Sequence, residues 1–117
     1  MDEVEAIGKR RLELLRDRHR DMTFDDDYMD TEVGTRGLVR AIDARGEVAG
    51  LEFIEPEGVW ADPDAVEEYA ETMEDGIGVT VIVPDKERLE AEALLREEAG
   101  KEIRVLSYKE STDAGWH

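Results

Sequence analysis

Apolar side chains recur at two periods along the chain, and the switches between them mark its elements. Over 2–19, Val4, Ile7, Leu14 and Leu15 share one face at helical spacing, with Arg10, Arg11, Arg16 and Arg18 elsewhere. Acids at the start and bases towards the end of that stretch suit the helix dipole. Residues 37–54 predict a hairpin of GLVRAID and EVAGLEFI. Their link, DARGE, offers Gly46 for the left-handed position of a short bulged loop. Residues 61–76 predict the best-defined helix: Asp62 as N-cap, Pro63 in the first turn, then Val66, Tyr69, Ala70 and Met73 on one face, with Gly76 ending it.

VTVIVP, at 79–84, is apolar on both faces apart from Thr80, as expected of a strand covered on two sides. KERLEAEALLREEAG follows as a helix with Leu89, Ala91, Leu94 and Leu95 inward, and IRVLSY, at 103–108, as the last strand. DMTFDDDYMDTEVGTRG, at 21–37, has no clean period; Met22 to Phe24 and Tyr28 to Val33 supply a short strand at most. The predicted architecture is one α/β domain over 1–117, with an N-terminal helix (1–20), an α/β core (21–110) and a flexible tail (111–117). A hairpin feeding two helical crossovers gives a mixed sheet, and the crossovers are expected to be right-handed.

Composition narrows the function classes. At 117 residues one domain is expected, and the absence of cysteine excludes disulfides and thiolate metal sites. No apolar run approaches the ~18 residues of a membrane span, and MDEVEAIGKRRLELL has no apolar signal region. A cytoplasmic protein with no membrane partner is expected. The net charge of −17 comes from 32 acids against 15 bases, of which only Lys9, Lys86, Lys101 and Lys109 are lysine. This profile resembles halophilic archaeal proteins, which work in molar salt, where a Debye length of about 3 Å mutes like-charge repulsion.

Chemistry-bearing clusters are few. His19 and His117 have no further histidine or cysteine to join them, so zinc is not expected. Asp25, Asp26, Asp27, Asp30 and Glu32 crowd one stretch, but without the spacing or glycine of a calcium loop. KRRLELLRDRHR, at 9–20, is the one basic run; Arg10, Arg11, Arg16 and Arg18 are its candidate nucleic-acid or partner contacts. Trp60, just before the helix cap, either anchors the helix start to the core or meets a partner. Trp116 either lies in a disordered tail or docks in a homodimer.

The order of elements, the AIDARGEVAGLEF hairpin and the ADPDAVEEYAETME helix resemble the restriction-endonuclease-like fold over residues 35–108. The likeness is to the archaeal and RecB-type branch of the PD-(D/E)XK nucleases. In active members of that family a hairpin acid and a Glu-x-Lys hold Mg²⁺, which activates water against a phosphate. Glu52 matches the glutamate, but Ile54 stands where the lysine belongs and Leu38 where the hairpin acid belongs. The resemblance therefore implies a degenerate member, with Glu52 as a relict residue paired to Arg40 or solvated. The expected function is a non-catalytic interaction module, without cofactor and with a protein or nucleic-acid partner. One alternative is a Mg²⁺-dependent nuclease using Glu52 with Asp30 or Glu32. Another is a homo-oligomeric structural protein joined through Trp60 or the hairpin's edge strand.

Overall fold

The structure, a computed structural model, describes residues 2–116. Helix α1 (Glu3–Arg18) is followed by strands β1 (Thr23–Thr31), β2 (Gly34–Ile42) and β3 (Val48–Ile54), then α2 (Pro63–Glu74), β4 (Gly78–Val83), α3 (Arg88–Glu98), β5 (Arg104–Ser107) and a short α4 (Tyr108–Ser111). The five strands lie in chain order across one sheet. β1 to β3 form an antiparallel meander, and β4 and β5 add in parallel. This is the mixed sheet with two helical crossovers that the sequence predicts. Both crossovers step the same way across the sheet, and α2 and α3 accordingly pack on one face, where Ala65, Tyr69, Ala91 and Leu95 meet Val79, Val81, Val83 and Val105.

Helix α1 covers the other face, placing Val4, Leu12 and Leu15 against Val39, Ala41, Ile54, Ile82 and Leu106. Asp2 caps it by accepting from the Val4 N–H at 2.9 Å, and Asp62 caps α2 through the Asp64 N–H. The helix approaches β1 closely at Gly8, where a Cβ would lie 2.2 Å from the Tyr28 hydroxyl. The β2–β3 loop turns through Gly46 at φ +81°, with a register shift between Ala41 and Ile42. That is the bulged loop expected there. As expected too, β4 is buried on both faces.

Three expectations need correction. The irregular acidic stretch is a nine-residue strand, β1. Its alternation is masked because Asp26 faces α1 among inward residues. Its carboxylate meets Lys9 Nζ at 2.9 Å and the Tyr28 hydroxyl at 2.8 Å. Burial opposes that ionised carboxyl, but Lys9 and Tyr28 hold its pKa below the ordinary aspartate value. Leu89 is 75% exposed rather than inward, because α3 starts only at Arg88 and directs Ala91 and Leu95 to the sheet.

The segment expected to be a flexible tail is built into the fold as far as 116. Ser107 and Glu110 form a reciprocal capping box that starts α4. Beyond it, the carbonyls of Asp113, Ala114 and Gly115 accept from Arg18, Arg11 and Arg104. The Trp116 N–H donates to His19 Nε2 at 3.0 Å. The Trp116 ring lies over Gly50, where an added Cβ would fall 1.8 Å from its tip. Gly50→Ala is therefore expected to displace the indole and not the sheet, at about 1–3 kcal/mol. A red shift of tryptophan emission, absent in a Trp116→Phe background, checks this.

Candidate functional site

Strand β3 carries Glu52, and Glu55 directly follows its end with its N–H on the Ile82 carbonyl; three positions apart on extended chain, the two buried glutamates project to opposite faces of the sheet. Glu52 is 1% exposed and Glu55 is fully buried. Each is held by an arginine fork from another element.

On the α1 face, Arg11 reaches Glu52 through two bonds, Nε to Oε1 at 2.6 Å and Nη2 to Oε2 at 2.9 Å. Its remaining nitrogen donates to the Ser111 carbonyl at 2.9 Å and to the Ala114 carbonyl. Arg11 lies on the buried stripe of α1 with Val4, Gly8, Leu12 and Leu15. That spacing was a signal in the sequence: a charged residue on the apolar face of a helix demands a buried partner. Beside Glu52 in register lies Thr80, and beyond it Arg104. Burial, then the positive charge of Arg11, lower the Arg104 pKa.

On the opposite face, Arg36 forks onto Glu55 at 2.8 and 2.7 Å, and the Tyr69 hydroxyl donates to the same carboxylate. Arg36 also meets Glu68 at 3.1 Å. The Tyr108 hydroxyl donates to the Glu55 carbonyl. Burial, then the Glu55 charge, raise the Tyr69 pKa far above the ordinary phenol range, so it remains a donor at any working pH. The hydrogen bond to Glu55 likewise raises the Arg36 pKa.

The expected pairing of Glu52 with Arg40 does not occur. The antiparallel register sets Glu52 opposite Val39 and Phe53 opposite Leu38. Arg40 thus points away from Glu52 and bonds Asp25 at 2.7 Å. Leu38 and Ile54 also lie on opposite faces, in separate cores, and do not fill one site together.

The metal candidates are not brought together. Asp30 pairs with Thr35, four residues along β2 from Val39, or about 13 Å at the usual rise. Its carboxylate accepts from the Thr35 hydroxyl at 3.0 Å. Glu32 is exposed in the turn after β1. Mg²⁺ requires several converging oxygens, and both oxygens of Glu52 are engaged by Arg11. As folded, these residues do not fit the ion. Among the described residues no group of three or more carboxylate or histidine side chains is placed to hold a metal. No buried side-chain nitrogen or oxygen there lacks a partner either.

The candidate contact residues divide. Arg11 and Trp60 are buried; the Trp60 indole N–H donates to Glu87 at 2.6 Å and its ring joins the core under α2. Arg10, Arg16 and Arg18 are exposed, but Arg16 donates to the Phe24 carbonyl at 2.8 Å and Arg18 to that of Asp113. Neither strand of the predicted hairpin is an edge strand, since β1 pairs with β2 and β4 with β3. β1 itself turns its Tyr28 N–H to the Asp27 side chain and its Phe24 carbonyl to Arg16. Such capping discourages pairing with another strand. No described helix is long and apolar enough to cross a membrane. No protein-family model matches the chain, and neither a curated protein nor a solved structure is found to match it.

Proposed function

We propose that the chain is a non-catalytic interaction module built on a restriction-endonuclease-like fold and adapted to a salt-rich archaeal cytoplasm. One observation carries this reading: the carboxylate at the family's glutamate position is closed by an internal arginine. Glu52 has both oxygens on Arg11, and Arg11 has its other donor on backbone carbonyls. The order of one helix, three antiparallel strands, a crossover helix and a parallel strand supports the likeness of fold. The charge of −17 supports the salt adaptation. Such a fold keeps the shape of a catalytic strand without a place for the ion.

The test is a Mg²⁺ and Mn²⁺ titration of the full chain at about 2 M KCl, where nonspecific ion attraction is screened. The Glu52 amide is followed by NMR. No saturable shift or paramagnetic broadening is expected there. A localised, saturable response at Glu52 together with Asp30 or Glu32 would restore the Mg²⁺-dependent nuclease.

A further inference from the structure

On the sheet face under α2 and α3, the buried core residues come from β3 to β5, with Leu38 of β2 partly buried against them. An open groove of about 510 Å³ runs between α2 and the β1–β2 turn, with Val33, Val59 and Ala65 among its lining. Past Arg36 and Glu68 it continues into a recess of about 90 Å³ over Leu38 and Phe53. Met29 of β1 and Val33 of the β1–β2 turn, 61% and 66% exposed, stand on the other side from α2. The opposite wall is α2, PDAVEEYAETME, which has five acids and no lysine or arginine. Glu67 and Glu71 both line the groove. A hydrogen bond and the charge of Glu67 raise the Glu71 pKa, as expected of carboxylates held close without a base between them.

We infer that this groove docks a segment of a partner protein that presents aliphatic side chains flanked by arginine or lysine. The apolar floor and the exposed Met29 and Val33 call for aliphatic anchors. Arg36 meets Glu68 of the wall at 3.1 Å, while Glu67 and Glu71 call for cations beside the anchors. Acidity alone does not single out this surface, since the whole chain is acidic; Met29 and Val33 do, two of the four large apolar side chains exposed among the described residues. Phosphate is repelled by the same wall. A second copy joined by two-fold symmetry would set acidic wall against acidic wall. In molar salt, charges act only at contact, so the anchors supply affinity and the carboxylates select against acidic partners. The inference deepens the interaction-module reading and rests on it.

The experiment follows amide shifts of the full chain at about 2 M KCl during titration with a synthetic peptide of leucines flanked by arginines. A second titration uses its glutamate-for-arginine counterpart. Saturable shifts at Val33, Arg36, Leu38 and Glu67 are expected with the first peptide only. The Met29→Ser/Val33→Ser variant should bind it about tenfold more weakly or worse. Leu89→Ser, which removes an equally exposed apolar side chain on α3, should bind normally. Shifts scattered over the acidic surface, equal weakening in both variants, or no shift would overturn the proposal. So would concentration-dependent shifts of the same amides without peptide, which indicate a second copy, or saturation by a short RNA. A Mg²⁺ response at Glu52 on the same samples would sink the non-catalytic reading and leave the groove data standing. A silent groove with a silent Glu52 would sink the docking alone.

Discussion

Arg11→Ala should cost the fold about 3–5 kcal/mol, the range for stripping one partner from a buried ion pair. The loss is large because Glu52, 1% exposed, would be left buried without the two donors that hold its carboxylate. The carbonyls of Ser111 and Ala114 would lose their donor as well. Against a total stability of roughly 5–15 kcal/mol for a domain, the variant would be close to unfolding. Arg11→Lys should not rescue it, since a lysine lacks the planar fork that meets both oxygens. Arg11→Met/Glu52→Leu should recover most of the loss, because replacing both partners of a buried pair with apolar groups is often neutral or stabilising. Urea unfolding of the four proteins, at one fixed high KCl concentration, decides the matter. If Arg11→Ala falls within about 1 kcal/mol of the parent, an amount expected of a minor contact, Arg11 does not close Glu52. Its carboxylate would then be open to other chemistry.

The same pair shows what the sequence disclosed. Glu52 was legible as a notable acid because it matches the glutamate of the nuclease family that the hairpin resembles. Its partner was not, because the two residues are 41 positions apart and only the packing of α1 on the sheet joins them. Arg40 was the nearer choice, and parity excludes it. Register in a hairpin follows loop geometry, and a slip of one residue exchanges the two faces of a strand. Here the shift between Ala41 and Ile42 sets Val39, not Arg40 or Leu38, opposite Glu52. Helices α2 and α3 and strands β4 and β5 were readable because each carries a clean period or a cap. β1 was obscured by Asp26, an inward acid made tolerable by Lys9 and Tyr28. The tail was obscured by its polarity, although the Ser107-x-x-Glu110 capping signal was present. The groove between α2 and the β1–β2 turn had no signature, since its two walls are far apart in sequence and meet only through the fold.

Thermal stability should rise steeply with KCl. With a net charge of −17, the compact state repels itself in dilute buffer. The Debye length falls from about 10 Å at 0.1 M to about 3 Å at 1 M salt, so that repulsion is removed over this range. A relief of about 2 kcal/mol would raise Tm by roughly 8–16 °C in a domain of about 100 residues. The Arg11–Glu52 pair should behave differently. Both of its side chains are shielded from ions by the protein, and buried pairs are screened far less than surface charges. The penalty of Arg11→Ala should therefore stay nearly constant while the parent's Tm climbs. Calorimetry of parent and variant across the KCl series separates the two effects. A Tm that is flat or falling between dilute buffer and molar KCl would remove the case for salt adaptation. A penalty that shrinks in step with ionic strength would mean that salt reaches Glu52, contrary to the closed site on which the non-catalytic reading rests.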